Sequence, residues 1–431
     1  MKNFKHILLA TTLLTALTSC EAPIKAVQMD VIAEDYIKLV LQVGEHEAGY
    51  IDAYYGPEEW AAEAKAETGS LKELGELADY MLQALPRVDT SGGTDMERAR
   101  LNFLTKQITA VRARIAMLQG ESFTFDEETR LLYDAVSPKG STDTWDATLA
   151  ELNALIPGEG DFKDRFAEFR KQFQIPTDKL GAVFEASIAG CRAATQKYVD
   201  LPKAESFTFE FVTDKAWSGY NWYQGGANSL IQVNTDFPIY IERAVDLGCH
   251  EGYPGHHVFN AMLEDKLVNE LGWKEFSVYP LFSPQSLIAE GTANYGIQMA
   301  FPGEERLKFE TEVLYPLAGI STANATTYDK ALRLMGKMRY NYTDVARAYL
   351  DGEITRDEAI DMRAKYGLMA RDKAEQSIRF METYRGYVIN YTLGMDLSDG
   401  YVIANSDGSA EGRWKAYEYL LSTPMTASGL E

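Results

Sequence analysis

The stretch GCHEGYPGHHVFN, residues 248–260, sets His250, Glu251, His256 and His257 within a few positions of one another. The chain has five histidines in 431 residues; His6 belongs to an N-terminal leader, so this stretch holds three of the other four. Packing explains such clustering poorly. Metal binding explains it well, because imidazole nitrogens and carboxylates are zinc donors. A helical zinc site spaces its histidines as H-E-x-x-H, so that both side chains stack on one face. Here the position four after His250 is Pro254. On a regular helix His256 would lie roughly 120° around the axis and His257 about 10 Å further along, so neither could share an ion with His250. Pro254 lacks an N–H and clashes with the carbonyl four residues back. Gly252 and Gly255 tolerate dihedrals that other residues avoid. The sequence therefore predicts a helix that bulges by two residues across 252–255 and delivers His256 to the place of i+4.

A catalytic zinc takes three protein ligands and leaves a position for water. Glu290, in SLIAEGTANYGIQM, is the expected third ligand. Its neighbours Leu287, Ile288, Ala289 and Ala293 are apolar, and a buried carboxylate needs a cation or a donor. Gly291 allows close backbone approach. Tyr295, five residues on, is placed near the same region as a substrate contact. One Zn2+ ion is the expected cofactor.

HEGYPGHH followed by EGTANY resembles the H-E-x-x-P-G-H-H … E-G-x-A-x-Y pattern of a bacterial domain-of-unknown-function family, number 885. That family is similar to the gluzincin metallopeptidases, among them thermolysin, thimet oligopeptidase and carboxypeptidase Taq. RFMETYRGYVINYTLG looks like the family's C-terminal R-[YF] … Y-x-x-G segment, matching at Arg379, Phe380, Tyr391 and Gly394. The likeness spans about 205–395 and covers the first 200 residues only loosely. It implies His250, His256 and Glu290 as ligands and Glu251 as general base. It also implies Arg379 and Tyr391 as groups that bind the carbonyl or carboxylate of a peptide substrate. One departure stands out. Family members carry a D-x-G-x-H element where YTDVARAYLDGEI keeps Asp344 but has no histidine. His257 is a candidate to replace it, with a purely structural role equally open. In gluzincins an edge strand beside the metal adds an extended peptide to its sheet. Ser229, Gln232 and Asn234 in SLIQVN could do this, or the strand could be an internally paired hairpin.

These residues need a scaffold that is mainly α with a small antiparallel β element, a gluzincin-like architecture with the metal site on a bulged helix. Apolar residues recur at three- and four-residue spacing over 31–47, 70–86, 95–118, 144–156, 161–173 and 178–199. Helical texture returns over 237–263, 284–300, 304–318, 326–351, 356–366, 370–393 and 411–421. Thr355 to Glu358 reads as a capping box. Between these blocks SFTFEFV and SLIQVN read as two short strands, expected to pair antiparallel. The aromatic WSGYNWYQGG either lines a site or packs, and His46 reads as structural or surface. The organisation expected is a leader at 1–20, a helical region at 21–200 and a metallopeptidase-like region at 201–431, the last two forming one continuous globule.

The leader MKNFKHILLATTLLTALTSC has Lys2 and Lys5, an apolar stretch too short to span a membrane, and a lipobox ending at Cys20. An exported bacterial lipoprotein is expected, on the periplasmic face, held to the membrane only by the lipid on Cys20. Glu21 favours the outer membrane. The formal charge of −22 argues against a nucleic-acid partner, and nothing in the sequence sets an oligomeric state. Cys191 and Cys249 are too far apart in sequence for a pairing to be read. The expected activity is zinc-dependent hydrolysis of peptide bonds. The alternatives are a zinc- or ligand-binding surface lipoprotein without catalysis and a zinc amidase or esterase on non-peptide substrates.

Overall fold

Helices begin where the sequence supplies caps. Ser70, Thr94, Thr124 and Thr355 each accept from the backbone N–H of a glutamate three residues on, whose carboxylate reaches back to the cap. Such a box satisfies two N–H groups that helical bonding leaves free. The computed structural model describes residues 28–215 and 217–430; the leader and Cys20 lie outside them. Within that range Met29–His46, Leu71–Ala84, Asp95–Leu118, Thr142–Leu155, Phe162–Lys171 and Leu180–Gln196 are helices, close to the expected spans. Glu58–Ala66 and Phe125–Tyr133 are helices that the periodicity did not mark. In Glu58–Ala66 only Ala64 is buried, and the buried face of Phe125–Tyr133 includes Glu128 and Thr129, so neither shows an unbroken apolar stripe in sequence.

The sheet departs from expectation in one respect. Strand β1 (Ile51–Tyr54) lies well upstream of β2 (Ser206–Val212), β3 (Gly219–Gly225) and β4 (Asn228–Asn234). The last three form one sheet in the order β2-β4-β3. The antiparallel element is the hairpin β3–β4. The two segments expected to pair antiparallel, β2 and β4, run parallel instead, from Ser206↔Asn228 to Val212↔Asn234. The reason is the aromatic segment between them, which itself forms β3 and reverses the chain before β4. With neighbours on both sides, β4 is the central strand. It has no free edge to offer a peptide, so the edge role expected for SLIQVN does not stand. A separate two-stranded ladder pairs β1 with β5 (Val278–Pro280), antiparallel.

Two long helical readings break. The stretch 326–351 divides into Ala325–Gly336 and Asn341–Leu350, and 370–393 divides at Arg385. Arg385 adopts φ 47° and ψ −122°, a region that non-glycine residues rarely enter. The carboxylate of Glu128 holds it there, accepting from Arg385 Nε at 2.7 Å and from the Gly386 N–H at 2.9 Å. The turn redirects the chain into Ile389–Ala404.

Ile389–Ala404 then crosses Pro284–Ala300 with backbones almost touching. A side chain at Gly291 would overlap the backbone of Gly394, so only glycine permits this approach. The main apolar core draws on residues from Ile32 to Leu430 and includes Tyr36, Phe103, Phe184, Val245, Phe259, Leu287, Tyr295 and Tyr417. A smaller cluster surrounds Trp145, Phe166 and Tyr366. No helix among the described residues is long and apolar enough to cross a membrane.

Candidate metal centre

The helix Ile241–Leu247 widens into a π-helical turn over Gly248–Gly252. The chain then leaves the helical path through Tyr253 and Pro254, which are joined by a cis peptide bond. It returns when the Gly255 N–H donates to the Cys249 carbonyl at 3.0 Å, and a regular helix restarts at His256. A Cβ at Gly255 would overlap the His250 carbonyl. The Tyr417 hydroxyl lies 3.3 Å from the Pro254 carbonyl and 2.8 Å from that of Thr292, tying the bulge to Pro284–Ala300. Cys249 is also bonded to Cys191, 58 residues upstream on Leu180–Gln196. The start of the bulge is therefore fixed covalently to a neighbouring helix.

The bulge brings His250 and His256 together, with their Nε2 atoms 3.1 Å apart. Glu290 Oε2 lies 3.2 Å from His250 Nε2 and 3.6 Å from His256 Nε2. The three donor atoms fall within 4.8 Å of one another. Glu290 is 6% exposed, and its Oε2 is buried with no hydrogen-bond partner among the described residues. Its close polar neighbours are the two imidazole nitrogens, which balance its charge only when one of them carries a proton. A cation between it and the two imidazoles balances it without that proton, and a His2Glu set with an open side suits zinc. The imidazole side chains keep 13% and 14% of their surface accessible, so an ion can reach them.

The surrounding residues orient these donors. Asn294 Oδ1 accepts from His250 Nδ1 at 3.1 Å, which leaves the Nε2 lone pair for a metal. Asn294 Nδ2 donates to the Tyr391 carbonyl at 3.2 Å. The Tyr387 hydroxyl donates to Glu290 Oε1 at 2.8 Å. Burial would raise the Glu290 carboxyl, but His256 and His250 hold it well below the usual range. Burial alone would lower the His256 imidazolium; Glu290 and Glu251 outweigh it and raise the group to about 9.

Glu251 is 5% exposed, and its carboxylate makes no side-chain hydrogen bond among the described residues. Its backbone carbonyl accepts from Asn221 Nδ2 at 2.7 Å. Burial raises its carboxyl above the ordinary range, partly offset by His250 and His256. Tyr391 packs against Tyr387 with ring centroids 5.8 Å apart. Burial and the nearby Glu290 charge keep its hydroxyl protonated far above neutral pH.

Several expected residues lie elsewhere. His257 is fully buried and points away from His256, with Nδ1 2.9 Å from Ser229 Oγ and Nε2 3.1 Å from Glu205 Oε2. Glu205 also accepts from the Tyr253 hydroxyl, so His257 braces the bulge from behind and holds no substrate group. Ser229 is thus occupied by His257. Gln232 accepts from Trp222 Nε1 and donates to Glu210, and Asn234 donates to the carbonyls of Lys215 and Trp217. Tyr295 is buried, with its hydroxyl 3.1 Å from Arg413 Nη2. Five residues turn it roughly 140° from Glu290, whereas Asn294, four residues on, shares that face. Arg379 is exposed because its helix turns Ala374, Ile378 and Met381 to the core, and it pairs with no member of the triad. Asp344 is engaged structurally, accepting from the Gly140 N–H at 2.6 Å and from Arg347 Nη1 at 2.5 Å.

No family model matches the chain. No curated protein matches it. Among solved structures it is similar to a candidate lipoprotein from Colwellia psychrerythraea, with TM-score 0.52 and 16% identity over 86% of this chain and 68% of that one. An M32 carboxypeptidase from Deinococcus radiodurans R1 aligns over 91% of this chain and 88% of its own, at 12% identity and TM-score 0.33. The first likeness is one of fold.

Proposed function

We propose that this chain is a zinc-dependent hydrolase of peptide bonds, with His250, His256 and Glu290 as ligands and Glu251 as general base. The observation that carries the reading is the convergence of three donor atoms on one point, one of them an unpartnered buried carboxylate oxygen, beside a second buried carboxylate. Zinc held there would supply Lewis acidity toward water and a carbonyl oxygen. Glu251 takes the proton of the attacking water on its carboxylate and passes it to the departing amine nitrogen. Tyr391, held protonated, is the O–H donor proposed for the oxygen on which negative charge develops. Arg379, exposed on its helix, is not assigned that part. Export is supported by the Cys191–Cys249 bond, which belongs to an oxidising compartment, and the proposed anchor is a lipid on Cys20.

The test is Glu251→Gln. The variant keeps one zinc per chain and loses at least about 1,000-fold in turnover on a peptide library. Stoichiometric zinc with no cleavage by the unmodified chain would instead support a binding protein, a reading favoured by Asp344 standing where the family pattern continues to a histidine. Cleavage of esters or amides but not peptides would identify the non-peptide hydrolase.

A further inference from the structure

Asp52 lies on β1, in the N-terminal half that the motif likeness covers only loosely, yet one hydrogen bond ties it to the strand that passes Glu251. Tyr220 on β3 donates its hydroxyl to Asp52 Oδ1. The residue before it, Gly219, is so close to the general base that a Cβ there would sit 2.7 Å from Glu251 Oε1. Burial raises the Asp52 carboxyl to about 6 against the hydrogen bond from Tyr220, and the charges of His256, Glu290 and Glu251 act on it more weakly. No hydrogen bond or ion pair joins Asp52 to a metal ligand, and no lysine or arginine pairs with it among the described residues. The residue as a whole is half-buried. Beside it Tyr220 continues into an aromatic shelf, with Trp217 at 5.5 Å and the exposed Trp222 at 4.4 Å between ring centroids.

Asp52, Glu251 and Glu290 are three carboxylates, and one divalent ion leaves one of them uncompensated. Glu290 belongs to the ion and Glu251 needs its lone pair for the proton. A recessed carboxylate without a cation is costly, and aromatic faces beside it favour a cationic rather than a neutral partner.

We infer that Asp52, with Tyr220 and the Trp217–Trp222 shelf, is the subsite for a substrate ammonium group. The inference deepens the peptidase reading and rests on it for the substrate's identity. The ammonium could be the free α-amino terminus or a lysine side chain. In either case Asp52 is a specificity-determining residue that anchors the substrate beside the scissile carbonyl.

Two measurements test it. The first needs no turnover: phenethylammonium and its neutral analogue phenethyl alcohol are titrated into zinc-loaded protein, read by tryptophan fluorescence. The ammonium should bind about 10- to 100-fold more tightly, and Asp52→Asn should erase the difference. Equal binding of the two probes, or a preference that survives both Asp52→Asn and Tyr220→Phe, overturns the inference. The second compares cleavage of free and Nα-acetylated peptides, with and without an internal lysine. A preference for the free terminus assigns the α-amino group, and one that follows the lysine assigns the side chain. Indifference to both in the unmodified chain overturns the inference. Ammonium-selective binding with no cleavage of any peptide leaves the subsite standing and removes the peptidase reading instead.

Discussion

The N–H of Gly255 donates to the carbonyl of Cys249 at 3.0 Å, closing over six residues a helical bond that ordinarily closes over four. Two residues are thereby looped out, and His256 takes the station of an i+4 histidine. Gly255→Ala would drive a methyl into the His250 carbonyl. It should weaken zinc binding on the order of 100-fold, about 2.7 kcal/mol, measured by competition with a zinc chelator. Should that variant fail to fold, deletion of Tyr253 and Pro254 is the second probe. It rebuilds His250-Glu251-Gly252-Gly255-His256 as a compact H-E-x-x-H and should retain stoichiometric zinc while melting lower, having lost the Tyr253–Glu205 contact. A deletion protein without zinc would mean that the bulge does more than reposition one ligand.

Tyr387 touches Glu290 Oε1, not the oxygen offered to the metal. Groups that orient a ligand from behind are worth about 10- to 100-fold in metal affinity. Tyr387→Phe should lose roughly 10-fold. Glu128→Gln should move affinity in the same direction, because Glu128 holds the Arg385 turn that delivers Tyr387. If zinc affinity is unaltered in both, the turn has no bearing on the site.

The two-residue bulge was legible because proline and glycine impose local backbone constraints, which depend on no distant residue. The capping box at Thr355 was legible for the same reason, whereas the break at Arg385 was not, because the distant Glu128 holds it. His257 was not, because its partners Ser229 and Glu205 lie 28 and 52 residues away and no spacing rule links them. Asn294 could have been found: it sits four residues after Glu290, the i+4 relation already applied to the histidines, whereas Tyr295 at five residues could not share that face. The parallel pairing of β2 with β4 was hidden because alternating apolar residues define a strand's faces but not its neighbours. Asp52 could be recognised only once β1 and β3 were seen side by side.

In the metal-free protein the His256 imidazolium is raised from 6.5 to about 9. A group whose folded value is raised stabilises the fold below its unfolded value, and the contribution fades as pH climbs through the folded value. Metal-free protein should therefore lose stability between about pH 6.5 and 9, seen as a falling melting temperature. At pH 7 the proton on His256 must leave before Nε2 can bind zinc. Calorimetry in buffers of different ionisation enthalpy should report release of about one proton per zinc. Release of none would show that His256 is already neutral or is not a ligand.

The Cys191–Cys249 bond closes a chain separation of 58 residues and ends one position before His250. Constraining a loop of that length restricts the unfolded chain by about 4 kcal/mol. Cys191→Ser should accordingly lower the urea midpoint markedly. Its effect on zinc is the more informative readout. Cys249 carries the carbonyl that closes the bulge, so freeing it from Leu180–Gln196 loosens both the bulge and the ligand beside it. Zinc affinity should fall about 10-fold in the variant at temperatures where it remains folded. A protein that unfolds earlier yet binds zinc as tightly as the parent would mean that Gly255 and Tyr417 hold the bulge without covalent help.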